Sequence, residues 1–77
     1  LPPEIGDLGG LTEFDASYCR LDGPLPPEIG AISQLRTLAL GNNRIDGPLP
    51  PEIGQLSHLE ELDLAENRLT LTLALFP

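Results

Sequence analysis

The hexapeptide Leu-Pro-Pro-Glu-Ile-Gly begins at Leu1, again at Leu25 and again at Leu49, so the chain repeats itself every 24 residues. By direct alignment, residues 1–24 agree with 25–48 at 11 positions, and 25–48 agree with 49–72 at 12. A unit of 24 residues is too short to enclose a core of its own. Each copy therefore buries its apolar side chains against its neighbours, and tandem copies stack into a quasi-one-dimensional solenoid. The whole chain, 1–77, reads as one segment of three units, 1–24, 25–48 and 49–72, with a divergent tail at 70–77.

Within each unit the apolar positions keep one spacing: Leu11, Phe14, Ala16, Cys19 and Leu21, then Leu35, Leu38, Leu40, Asn43 and Ile45, then Leu59, Leu62, Leu64, Asn67 and Leu69. The pairs Phe14/Ala16, Leu38/Leu40 and Leu62/Leu64 alternate with the period of a strand buried on one face, which predicts three short parallel strands. Asn43 and Asn67 follow three residues later, where an amide that both donates and accepts can satisfy the backbone as the chain bends. Cys19 holds the same place in the first unit and reads as a structural thiol. Asp22-Gly23-Pro24 and Asp46-Gly47-Pro48 are turn chemistry. Pro-Pro-Glu-Ile-Gly then predicts a tight helical turn, with Pro early, Glu near its positive end and Gly closing it. Ile5, Ile29 and Ile53, with Leu8, Ile32 and Leu56, are expected to point inward. A helix over 55–76, which contains no Gly or Pro, is the local alternative, but Gly41-Asn42 in the aligned stretch of the second unit speaks against it.

These residues resemble the plant-type leucine-rich repeat, whose 24-residue pattern runs L-x-x-L-x-L-x-x-N-x-L, then a Gly turn, then I/L-P-x-x-I/L-G. The resemblance implies an α/β repeat solenoid: a right-handed superhelix with short parallel β-strands on its concave side and short helical or 3-10 turns on its convex side. It further implies a recognition module, as in the ectodomains of receptor-like kinases and receptor-like proteins, and hence an extracellular or cell-surface location. The third unit departs from the pattern, since Leu71 and Thr72 replace the Gly-Pro pair and the tail alternates Leu with Thr or Ala. That tail is expected to be a closing strand, with a truncated fourth unit as the alternative. The Cys pairs that commonly flank extracellular members are missing, and no N-x-S/T site is present.

Composition narrows the function. A net charge of −8 opposes phosphate neutralisation, so nucleic acid is not an expected partner. One Cys and one His supply neither a disulfide nor a structural zinc site, and His58 reads as a surface residue. No apolar run reaches the roughly 18 residues of a membrane span, so the segment itself is not expected to touch a membrane. The chain opens on Leu1-Pro2-Pro3 with no Met, and reads as a piece of something longer.

If the strands line a concave face, the residues alternating with the core project from it: Glu13, Asp15 and Ser17, then Thr37, Ala39 and Gly41, then Glu61, Asp63 and Ala65, with Tyr18, Asn42 and Glu66 extending the rows. The face is acidic at both ends and small in the middle. Its two acidic groups are separated by about 10 Å, given strands about 4.8 Å apart. Paired carboxylates at such a distance suit glycoside hydrolysis or calcium, yet an open face neither excludes water nor raises a pKa. The expectation is a non-catalytic segment with no cofactor, which binds a protein or peptide carrying a basic patch. The alternative is a spacer with no ligand of its own. Three units without polar caps are near the minimum for a stable stack, so the isolated segment is expected to melt below about 65 °C.

Overall fold

A computed structural model describes residues 1–70. Six strands follow one another as β1 (Glu13–Asp15), β2 (Asp22–Pro24), β3 (Thr37–Ala39), β4 (Arg44–Pro48), β5 (Glu61–Asp63) and β6 (Arg68–Thr70). Three 3-10 turns, Pro3–Asp7, Pro27–Ala31 and Pro51–Gln55, alternate with the strand pairs. Each coil of the solenoid thus has two strands and one 3-10 turn. The strands stack into two parallel sheets, β1-β3-β5 and β2-β4-β6. The helical alternative for the third unit fails, because β5 and β6 lie inside it. The expected closing strand beyond Thr70 falls outside the described residues.

The first sheet pairs equivalent residues of successive units, Phe14 with Leu38 and Leu38 with Leu62. The second sheet corrects the sequence reading, in which Asp22-Gly23-Pro24 and Asp46-Gly47-Pro48 were turns alone. Here they are strand residues, and Gly23 and Gly47, both at φ +74°, let the strand bend within its span. Partners in this sheet are not equivalent residues. Asp22 lies beside Arg44 and Asp46 beside Arg68, so acidic and basic residues alternate across the strands instead of stacking in like-charged rows.

The core runs between the two sheets and the 3-10 turns. Ile29, Ile32, Leu35, Leu38, Leu40 and Ile45 of the middle coil are fully buried, because a coil covers them on each side. Leu8 corrects another expectation. It is 48% exposed, while its equivalents Ile32 and Leu56 are buried, because no described coil packs on the outer side of the first unit. Phe14, Leu11 and Leu21 are half-buried there for the same reason.

The Gly that ends Pro-Pro-Glu-Ile-Gly does not close the turn by a left-handed cap. It sits inside the 3-10 turn and permits close packing between coils. A Cβ on Gly30 would lie 2.6 Å from the Glu52 carbonyl oxygen, and one on Gly6 would lie 2.8 Å from that of Glu28.

Asn43 joins two coils. Its Oδ1 accepts the backbone N–H groups of Cys19 and Leu21, both at 3.0 Å, in the unit before it. Its Nδ2 donates to the carbonyls of Ala16, Leu40 and Gly41. Asn67 repeats the scheme, accepting from Ile45 N–H and donating to Leu40, Leu64 and Ala65. The Cys19 thiol stays within its own unit, donating to the Ser17 carbonyl at 3.4 Å.

Candidate functional site: the face of the first sheet

Strand alternation turns Phe14, Leu38 and Leu62 toward the core and leaves Glu13 and Asp15, Thr37 and Ala39, Glu61 and Asp63 on the opposite face of the first sheet. The register places Thr37 between Glu13 and Glu61, and Ala39 between Asp15 and Asp63. Small residues of the middle strand thus form a floor between two acidic walls. A shallow depression of about 320 Å³ opens on the third-unit side of this floor, lined by Thr37, Leu38, Ala39, Glu61, Leu62 and Asp63 of the middle and third strands.

The carboxylates divide into two kinds, which alternation alone does not reveal. Asp15 accepts the Ser17 backbone N–H and Asp63 accepts that of Ala65, each at 3.0 Å, so both carboxylates fasten the turn that follows their strand. The Asp63 carboxylate also lies over Gly41, whose missing side chain leaves it room. Glu13 and Glu61 have no hydrogen-bond or ion-pair partner among the described residues. Arg36, the nearest counter-charge in sequence, is engaged by Glu60, with Nη1 3.0 Å from Oε1 in an exposed pair. Its charge does not offset the walls.

Beyond the strands, Tyr18, Asn42 and Glu66 occupy one position of the repeat, and all three are left-handed, at φ +58°, +59° and +57°. Asn tolerates this region; Tyr and Glu adopt it only where the surroundings impose it. The surroundings do so here: Tyr18 N–H donates to Gly41 O and Asn42 N–H to Ala65 O, which ties each turn to the next unit. Among the described residues, no three His, Cys, Asp or Glu side chains come together as a metal site would require.

The bond from Ser17 N–H, and then that from the Ser17 hydroxyl, hold the Asp15 carboxyl below its ordinary value of 3.8. A depressed folded value stabilises the turn above the unfolded pKa, and this contribution disappears as pH falls through the folded value. The acid-side window therefore lies below pH 3.8. In a carboxyl NMR titration the Asp15 midpoint is expected below 3.8, and Ser17→Ala should move it upward by removing the hydroxyl bond. An unmoved midpoint in that variant would assign the whole effect to the backbone N–H.

The model of the family described as Leucine Rich Repeat matches residues 10–32, 34–56 and 58–77. The chain belongs to the leucine-rich repeat family. No curated protein matches it. Among solved structures, the leucine-rich repeat chain is similar to a chain of the BIR3–SERK2 complex from Arabidopsis thaliana, at 32% identity and a TM-score of 0.88, over 91% of this chain and 38% of that one. It is similar to the ectodomain of the receptor kinase SOBIR1 from Arabidopsis thaliana, at 38% identity and a TM-score of 0.85, over 90% of this chain and 38% of that one. It is also similar to a chain in the complex of the Arabidopsis receptor kinase HAESA with the peptide hormone IDA and the co-receptor SERK1, at 35% identity and a TM-score of 0.84. There the overlap is 88% of this chain and 11% of that one. These are plant-type leucine-rich repeats, of the kind found in receptor kinase ectodomains. This leucine-rich repeat chain spans less than two fifths of the length of each of these three structures.

Proposed function

We propose that this segment recognises a protein or peptide through the face of its first sheet, without catalysis, and that it serves in a receptor-like ectodomain at the cell surface. The observation that carries the reading is the contrast between the two faces of the same three strands. Inward positions are apolar in every unit, while outward ones change from Glu to Thr to Glu and from Asp to Ala to Asp. Glu13 and Glu61, free of internal partners, favour a ligand with a basic patch. The partners of similar chains add support, since one of those structures holds a peptide hormone and another pairs two proteins. Asp15 and Asp63, occupied in their turns, favour the second reading, a spacer whose acidity is structural.

Selection of displayed random peptides on the immobilised chain separates the two. Recognition predicts Lys- or Arg-rich winners whose affinity falls at least about 10-fold, or ~1.4 kcal/mol, when Glu13→Lys and Glu61→Lys are combined. Winners indifferent to that double substitution would remove the face from the interface.

A further inference from the structure

Resting on that recognition reading, we propose that Tyr18 is the anchor of the interface and that the partner presents an arginine side chain to it. Among the described residues only Leu8 and Tyr18 are exposed large hydrophobic residues, and Tyr18, at 78%, is by far the more exposed. Leu8 is explained by its place on the outermost coil. The fold turns the Tyr18 position outward in every unit, Asn42 and Glu66 being exposed too, but only in the first unit does it carry an aromatic ring. Its ring joins no core cluster, and its left-handed backbone is a conformation in which an aromatic residue is disfavoured. At the same position the middle unit carries Asn42, which tolerates that conformation.

What the fold does provide is a rigid base. Three successive N–H groups are fixed: Ser17 to the Asp15 carboxylate, Tyr18 to Gly41 O and Cys19 to Asn43 Oδ1. An exposed aromatic on a fixed backbone offers contact area at little ordering cost, which is the character of an interface hot spot. Glu13 and Asp15 stand on the strand that leads into it, and Glu66 shares its position two coils on. Arg20, the cation nearest in sequence, stands two residues on and forms no ion pair among the described residues. A planar cation stacked on the ring suits an exposed aromatic at the end of an acidic strand, and guanidinium does so better than ammonium.

The chain has one Tyr and no Trp, so its intrinsic fluorescence reports Tyr18 alone. Tetra-arginine is the probe, with calorimetry giving the affinity for each variant of the full chain. Saturable quenching or enhancement of the Tyr emission is expected, with tetra-lysine several-fold weaker. Tyr18→Asn should weaken tetra-arginine at least tenfold while melting no lower than the parent chain, and Tyr18→Phe should stay within about threefold, because the ring face is kept. Unchanged affinity in Tyr18→Asn overturns the anchor. If Glu13→Lys with Glu61→Lys still abolishes binding in that case, the recognition face stands without it. If neither variant changes the affinity, or tetra-arginine does not bind the parent chain, both assignments fall.

Discussion

Replacing Asn43 by Ala is expected to remove a large share of the stability of this stack. The amide oxygen is the acceptor for Cys19 N–H and Leu21 N–H, and the amide nitrogen serves Ala16, Leu40 and Gly41, so one side chain satisfies backbone groups of two coils. Asn43 is itself buried, at 8% exposure, and water cannot readily take its place. Leu40 O and Gly41 O keep their bonds from Asn67 and Tyr18, so three part-buried groups, Cys19 N–H, Leu21 N–H and Ala16 O, lose their partner, at about 1–3 kcal/mol each and about 3–5 kcal/mol for the site. A domain of this size is worth only about 4–11 kcal/mol in total. Urea unfolding followed by circular dichroism should place the midpoint of Asn43→Ala far below that of the parent. Asn67→Ala should lose less, because its oxygen accepts one backbone N–H, that of Ile45, where Asn43 accepts two. A loss under about 1 kcal/mol for Asn43→Ala would show that solvent enters and satisfies the site.

Gly30→Ala should be nearly as damaging, for a reason unrelated to glycine's backbone freedom. The new methyl would sit 2.6 Å from Glu52 O and 2.9 Å from Glu52 Cβ, atoms that the 3-10 turn Pro51–Gln55 holds in place. The middle and third coils must move apart, which loosens Ile29 and Ile53 against each other. Overpacking of this kind costs about 1–3 kcal/mol, and the value here belongs at the upper end because the obstacle is backbone. Gly10→Ala is the matched control. Nothing lies within 4 Å of its Cβ, and the other units carry Gln34 and His58 at that position, so its effect should stay within about 0.5 kcal/mol. Thermal melts of the two variants side by side check the contrast, and equal midpoints would mean that the coils separate at no cost.

The parts of this fold that can be read from sequence are those that recur at the period of the repeat. Leu38 and Leu62 announce their strands by alternation, and Asn43 and Asn67 announce their bends, because the same physics acts at the same place in each unit. The second sheet escapes that reading since its pairs are offset: Asp22 meets Arg44, not Asp46, and a comparison of equivalent residues never places them together. The alternation of Arg44, Ile45 and Asp46 was the available signal, hidden by the Gly-Pro that follows. Leu8 failed because periodicity describes a coil with two neighbours. On the outward face of the first sheet, the sequence marks Asp15 and Glu13 alike as outward acids. Only the turn geometry separates the carboxylate that fastens Ser17 from the one left open. The left-handed backbone of Tyr18 was equally invisible, since its counterparts Asn42 and Glu66 share no side-chain chemistry with it.

The backward reach of Asn43 gives the fold a direction in time. Cys19 N–H and Leu21 N–H receive their acceptor from a residue made 24 and 22 positions later, and Ile45 N–H waits in the same way for Asn67. During synthesis each coil is therefore finished by the one after it. At about 5–20 residues per second the nascent chain trails its own ribosome by roughly one to five seconds per unit, with the newest coil always incomplete.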